Sequence, residues 1–232
     1  MAPSSSHPAR GRRASSRALP VACAMLLAGG ACGVEVSPHA ATASPPATEP
    51  AMQQDSFQIR QGASATRGDS RLGFIGSDGA GGALLDAWDQ RHDFWLVHYR
   101  LRDGDIFPAS GRFLRVTQIR HGEPGGSLSL DVAGDAGGLL PAAAGQPVLP
   151  ERGSLDVGLS RLEMLSPPDA HSVRVRRWPK LHPLARTAPE QIEELALSVG
   201  DTLVFGNRTL RVERIQPDAG DIGGFVVFSV AD

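Results

Sequence analysis

Gly104-Asp105 precedes the stretch Arg112-Phe113-Leu114-Arg115-Val116-Thr117-Gln118-Ile119. The same pattern occurs again 96 positions later, as Gly200-Asp201 followed by Arg208-Thr209-Leu210-Arg211-Val212-Glu213-Arg214-Ile215. A second block, Gly125-Gly126-Ser127-Leu128-Ser129-Leu130-Asp131-Val132, aligns with Gly223-Gly224-Phe225-Val226-Val227-Phe228-Ser229-Val230 at an offset of 98. Apolar residues at every second position predict strands with one apolar face. The Gly-Asp and Gly-Gly pairs are typical of turns. We interpret the two stretches as copies of one strand–turn–strand–loop–strand unit.

The alternation also predicts which side chains are buried. A unit of two or three strands cannot bury its own apolar face in water, so we expect the copies to pack into a mainly-β, sandwich- or barrel-like fold. Arg115 and Arg211 fall on the wetter face, as exposed or salt-bridged arginines or as equivalent contacts for an anionic partner group. The predicted core positions are Leu114, Val116, Leu128, Leu130, Leu210, Val212, Val226 and Phe228.

Two short helices are predicted, one before each copy. Leu84 and Trp88 are spaced to share one face of a helix from Ala83 to about Arg91. Thr187-Ala188-Pro189-Glu190 has the pattern of a capping box that opens a helix of about two turns. In that second helix Ile192, Leu195 and Ala196 are expected to face the core.

Residues 1–31 are typical of a signal peptide. Four arginines, the last of them Arg17, precede a short apolar run from Ala18 to Ala31, and a run of about this length is too short to span a bilayer as a helix. The small residues leading into Cys32 resemble the lipobox of bacterial lipoproteins, although Gly29 stands where that family prefers leucine. The resemblance implies lipidation of Cys32 and a membrane anchor.

Other ways of processing the N-terminus stay open. Cleavage after Ala31 or Ala43 would release a soluble secreted or periplasmic protein, and an uncleaved anchor is a third reading. If Cys32 is lipidated, Gly33 rather than aspartate in the next position implies an outer-membrane lipoprotein facing the periplasm. Both cysteines of the chain, Cys23 and Cys32, lie in this segment, so no disulfide is expected in the folded part.

The remainder of the chain is predicted to have four parts. Residues 32–55, rich in Ser, Pro, Ala and Thr, are predicted to form a flexible tether. A first β unit is expected over 56–137, a linker over 138–152 and a second β unit over 153–232. Removal of the four signal-peptide arginines leaves 19 basic residues against 25 acidic ones, a net charge of −6. A net-acidic chain is not expected to bind nucleic acid.

The candidate chemistry lies between Asp86 and His98. Asp86, Asp89, His92, Asp93 and His98 are of the types that bind metals or transfer protons. Their spacing matches no metal motif, so Asp89, His92 and His98 are only a weak alternative metal set, and no cofactor is expected. No Gly-x-Ser-x-Gly motif is present. The sequence therefore favours an exported, lipid-anchored, non-enzymatic binding module for an envelope protein or peptidoglycan. The alternative is a periplasmic hydrolase or metal-dependent enzyme that uses the Asp86–His98 region.

Overall fold

Sixteen β-strands and no α-helix make up the part of the chain that the computed structural model describes, residues 56–122, 125–134, 136–180 and 191–231. These residues belong to one unit of dense internal contacts, Pro50–Asp232. The predicted mainly-β class is confirmed. The signal peptide, the tether and the capping box at residues 187–190 lie outside the described residues.

In chain order the strands are β1 (Ser56–Arg60), β2 (Ser64–Arg67), β3 (Ser70–Ser77), β4 (Ala83–Asp89), β5 (His92–Leu101), β6 (Ile106–Ala109), β7 (Arg112–Arg120), β8 (Ser127–Val132), β9 (Val148–Pro150), β10 (Gly153–Val157), β11 (Ser160–Met164), β12 (Ser172–Pro179), β13 (Glu193–Ser198), β14 (Thr202–Phe205), β15 (Arg208–Gln216) and β16 (Phe225–Ala231).

The strands form three antiparallel sheets. Two have four strands, in the orders β1-β8-β7-β6 and β14-β15-β16-β9. The third has eight strands, in the order β13-β12-β11-β10-β5-β4-β3-β2. Buried side chains from all three sheets form one hydrophobic cluster. The alternation that predicted the strands therefore supplies one apolar face from each sheet to a shared core.

The two four-stranded sheets contain the repeated stretches. Strands β6–β8 and β14–β16 are each an antiparallel meander. The register of β7 shifts between Val116 and Gln118, and that of β15 shifts between Val212 and Arg214, 96 positions later. All eight predicted core residues are buried, while Arg115 is half-buried and Arg211 exposed. The predicted division between core and wetter face is confirmed.

Strand β9, which lies inside the predicted linker 138–152, pairs with β16. The two predicted β units also share the eight-stranded sheet, because β5 pairs with β10 between Trp95–Tyr99 and Gly153–Val157. We call this pairing the seam. Gly153 is required there, since an added Cβ would lie 1.9 Å from the carbonyl oxygen of His98. Its φ of 156° is also one that residues with side chains rarely adopt.

Both helix predictions are wrong for the residues that the structure describes. Residues 83–89 form β4, hydrogen-bonded to β3 on one side and β5 on the other. Leu84 and Trp88 do share a face, as the helix prediction required. A strand gives the same result, because any two of its residues that are an even number of positions apart lie on the same face. Residues 193–198 form β13, in which Leu197 is buried, Leu195 half-buried and Ala196 exposed. A two-turn helix is too short to compete with pairing to β12.

No helix among the described residues has the length and apolar character needed to cross a membrane.

Neighbouring positions in β15 test the assignment of the two faces. Leu210 is fully buried, so Leu210→Ala is expected to reduce the free energy of unfolding by about 2–5 kcal/mol. The exposed Arg211 makes no ion pair with a described residue, and Arg211→Ala should cost under about 1 kcal/mol. Urea unfolding of both variants measures the difference. Equal losses would contradict the assignment.

Candidate functional site

The outer face of the eight-stranded sheet carries a cluster of charged side chains at the seam. Leu85, Val97 and Leu155 point into the core from β4, β5 and β10. The alternation of side chains along a strand therefore places Asp86, His98 and Asp156 on the opposite face. These outer positions are shielded from water, since Asp86 and His98 are half-buried and Asp156 is buried. Neighbouring strands deliver the three groups to one place, although residues 86 and 156 are far apart in sequence.

His98 connects two carboxylates. Its Nδ1 lies 2.7 Å from Oδ1 of Asp86, the directly opposite residue on β4. Its Nε2 lies 3.0 Å from Oδ2 of Asp156, which sits diagonally across the seam on β10. With a carboxylate at each ring nitrogen, both nitrogens donate hydrogen bonds when the ring is protonated. His98 therefore links the two carboxylates as an imidazolium.

Asp156 is the centre of the cluster. Arg161, its cross-strand neighbour on β11, donates from Nε to Oδ1 at 2.6 Å and from Nη2 to Oδ2 at 3.0 Å. Nζ of Lys180 lies 2.9 Å from the same Oδ2. Three cations, from β5, from β11 and from the residue that follows β12, thus converge on one buried carboxylate. Such charge-assisted, bidentate hydrogen bonds are among the strongest in proteins. We call Asp86, His98, Asp156, Arg161 and Lys180 the seam cluster.

The protonation states in the cluster follow from these contacts. Burial lowers the pKa of His98, but the hydrogen bonds with Asp156 and Asp86 outweigh it and raise the pKa to about 9. Burial likewise raises the pKa of Asp156, and the hydrogen bonds from His98, Arg161 and Lys180 hold it well below its usual range. At neutral pH the cluster therefore contains a protonated histidine and an ionised aspartate.

A groove of about 440 Å³ opens beside the cluster. This volume lies within the range typical of ligand sites. Asp86, His98 and Arg161 form part of its charged wall, while Ile75 and Trp178 contribute apolar surface. Ile75 is 52% exposed although it is a large aliphatic residue. The remaining lining residues are Leu84, Tyr99, Arg100, Gly153, Ser154 and Glu163. The groove therefore combines charged groups, an exposed aliphatic side chain and an indole ring.

The predicted metal set is not brought together. Oδ1 of Asp89 lies 3.3 Å from Nδ1 of His92, and Asp89 is buried. His98 follows His92 by six residues along β5, a separation of about 20 Å in an extended strand. Among the described residues, no group of three or more His, Cys, Asp and Glu side chains could hold a metal ion.

The repeated arginines lie away from the groove. Nη1 of Arg115 is 3.3 Å from Oδ2 of Asp221, on the loop between β15 and β16. Arg211 is exposed on β15, in a different sheet. Neither lines the groove, and Arg115 is partly neutralised by its ion pair. Cys32, the predicted lipidation site, lies outside the described residues.

Sequence reasoning selected Asp86 and His98 by residue type but missed Asp156, Arg161 and Trp178. The missed residues sit 58 or more positions from His98 and reach it only through the seam. One signal was available in the sequence. Ser70-Arg71-Leu72 and Ser160-Arg161-Leu162 match at an offset of 90, as do Trp88 and Trp178. That offset places the matched residues on β3 and β4 in one case and on β11 and β12 in the other.

The chain matches no family model, no curated protein and no solved structure.

The raised pKa of His98 predicts how stability depends on pH. A histidine whose pKa rises on folding stabilises the fold below its unfolded pKa of about 6.5. This contribution is lost as the pH rises through the folded pKa of about 9. The free energy of unfolding should therefore fall between about pH 6.5 and 9, and His98→Gln should remove that part of the slope. Urea unfolding at a series of pH values is the measurement.

His171, an exposed histidine before β12, provides the control. His171→Gln should keep the slope of the parent protein. If His98→Gln keeps the same slope as well, then His98 does not hold its proton more tightly in the folded state.

Proposed function

We propose that the chain is an exported envelope protein, anchored through lipidated Cys32 to the outer membrane and facing the periplasm. Its β domain acts as a non-enzymatic binding module, and its partner is peptidoglycan. The observation that carries this proposal is the groove of about 440 Å³ next to the seam cluster, with Trp178 on its wall. The signal-peptide pattern and the lipobox resemblance at Cys32 support the location.

The groove surface matches the chemistry of peptidoglycan. This polymer presents sugar rings, whose C–H faces stack on aromatic rings, and peptide stems that carry carboxylates. Trp178 is half-buried and supplies an aromatic surface. Arg100 and Arg161 both line the groove, the first exposed and the second half-buried. Both guanidiniums can donate charge-assisted hydrogen bonds to a carboxylate. Glu163 and Asp86 are acceptors suited to sugar hydroxyl groups.

The state of His98 favours binding over hydrolysis. The contact between Asp86 and His98 is the observation that supports the hydrolase alternative, since an aspartate often orients a catalytic histidine. A general base, however, needs a free ring nitrogen and a pKa near the working pH. In this cluster each ring nitrogen faces a carboxylate and the pKa is raised to about 9. His98 therefore acts as a fixed cation that joins strands.

We further infer that the domain is a duplication of an eight-stranded unit, larger than the repeated stretch. Strands β1–β8 form the first half, residues 56–132, and β9–β16 form the second half, residues 148–231. Each half contributes one four-stranded sheet and four consecutive strands of the eight-stranded sheet. The register supports this equivalence. Arg67 pairs with Ser70 as Val157 pairs with Ser160, and the offset of 90 holds through β4 and β12.

Matching hydrogen bonds support the equivalence of the remaining strands. The carboxylate of Asp105 accepts from the backbone N–H of Arg102 at 2.7 Å, and that of Asp201 accepts from Ser198 at 2.7 Å. The N–H of Val116 donates to the carbonyl of Asp105, as that of Val212 does to Asp201. Each group in the second half therefore lies 96 positions after the group in the first half that makes the same hydrogen bond.

Sedimentation with purified peptidoglycan tests the binding function. The soluble Cys32→Ser chain should pellet with the polymer, and the additional change Trp178→Ala should weaken this binding at least about tenfold, because a central aromatic residue commonly contributes 2 kcal/mol or more.

The matched control is Trp88→Ala, which removes the equivalent indole of the first half. Both tryptophans are half-buried and lie beside an arginine, at 5.6 Å for Arg71 over Trp88 and 5.2 Å for Arg176 over Trp178. Trp88 does not line the groove. Its variant should therefore bind like the parent. Equal loss in both variants, or no binding by the parent, would contradict the proposal.

The anchor is tested in cells. Cys32→Ser should move the protein from the membrane fraction to the soluble periplasmic fraction, or leave an uncleaved precursor. The several acyl chains of a lipoprotein hold it on the membrane, since each buried CH₂ contributes about 0.8 kcal/mol. Unchanged fractionation together with unchanged gel mobility would show that Cys32 is not lipidated.

A further inference from the structure

The seam joins the last strand of one four-strand group to the first strand of the next. In the first half that last strand is β5, and its equivalent in the second half is β13. The first strand of the second group is β10, and its equivalent in the first half is β2. Strands β2 and β13 are therefore the two edges of the eight-stranded sheet. If two copies of the chain joined in the way that β5 joins β10, β13 of one copy would pair with β2 of the other.

Among the described residues, nothing is paired with the outer side of either edge strand. Arg67 and Ser70 flank the two-residue turn between β2 and β3, and such a pair is hydrogen-bonded. Because hydrogen-bonded pairs alternate along an antiparallel ladder, the backbone N–H groups of Ala65 and Arg67 face β3. Those of Ser64 and Thr66 point away from the sheet. The equivalent residues of β10, Ser154 and Asp156, are those that face β5. Neither β2 nor β13 has a second strand partner among the described residues. Unpaired edges of this kind readily accept another chain.

Apolar side chains are exposed next to β13 and on β14, the strand that follows it. Ile192 is 42% exposed, whereas its equivalent in the first half, Leu96, is half-buried beside β10. Val204 on β14 is 62% exposed, whereas its equivalent Pro108 is buried. Pro108 lines a small cavity together with Pro150 and other residues of the second half. The second half therefore exposes two apolar positions that the first half has covered.

Charges at the two edges are complementary. Arg161 Nη2 lies 3.3 Å from His98 Nε2 at the seam, where Asp156 neutralises both. The positions equivalent to His98, Arg161 and Asp156 are Glu194, Arg71 and Thr66. Glu194 already accepts from Nη2 of Arg174 at 3.0 Å within the chain. Repeating the seam between two chains would bring the same carboxylate to the guanidinium of Arg71 as a second cation. The buried aspartate is not needed there, because the glutamate supplies the negative charge.

We propose, on the basis of the equivalence of the halves proposed above, that the protein self-associates head to tail. Strand β13 of one copy pairs with β2 of the next, in the register that β5 and β10 use within the chain. The contact is heterologous, so each assembly has one free β2 edge and one free β13 edge until it closes into a ring. Ile192 and Glu194 of one copy meet Thr66 and Arg71 of the next.

Sedimentation-velocity ultracentrifugation of the Cys32→Ser chain, over a hundredfold range of concentration and without peptidoglycan, tests this contact. The parent should show species larger than a monomer that increase with concentration. Thr66→Pro removes an outward N–H but no bond to β3, so it should weaken association at least about tenfold. Glu194→Lys should also weaken it, and combining Glu194→Lys with Arg71→Glu should restore it.

Glu193→Lys is the matched control. It makes the same charge change one residue away, at a position whose N–H bonds inward to β12 by the alternation of the strand, and it should leave association unchanged. Circular dichroism must show that each variant is folded. A parent that stays monomeric, or folded variants at Thr66 and Glu194 that associate normally, would overturn the proposal. So would failure of the double charge exchange to restore association. A monomeric chain that still pellets with peptidoglycan would overturn self-association alone and leave the binding function intact.

Discussion

The pairing of β5 with β10 is the interaction on which the arrangement of the domain depends. It joins two groups of four strands into one sheet of eight and brings Asp156 beside His98. Close approach of the strands requires glycine at position 153, because a Cβ would collide with the carbonyl oxygen of His98. Without this pairing each group of strands would expose an additional edge, and the buried Asp156 would lose His98 as a partner.

The seam combines backbone pairing with a charge network. Backbone hydrogen bonds fix the register, which sets Ser154 opposite His98 and Asp156 diagonal to it. The register in turn lets one carboxylate accept hydrogen bonds from an imidazolium, a guanidinium and an ammonium group. A carboxylate buried without these partners would destabilise the fold, whereas a fully satisfied one favours a single register. The groove lies beside the seam, where the two groups of four strands meet.

Local pattern predicted the strands of the repeat and their buried faces. The alternation at Leu210 and Val212 fixed the register because a slip by one residue would expose every apolar side chain. The same approach failed at β4, where Leu84 and Trp88 satisfy both a helical and a strand period. Only pairing with β3 and β5, which the spacing of Leu84 and Trp88 does not reveal, decides between them. The site was half predictable for the same reason. Asp86 and His98 lie close in sequence, but Asp156, Arg161 and Trp178 become neighbours through strand order alone.

The only lysine of the chain is Lys180, and its ammonium group contacts Asp156 while 43% of its side chain stays exposed. Apart from the N-terminus, the protein therefore offers acylating reagents a single primary amine, which sits at the junction of its two halves. A fluorophore or cross-linker with an activated ester attaches there without engineering. Acylation removes the positive charge of Lys180, which is one of the cations that contact Asp156. A label at this position therefore reports on the junction and also weakens it.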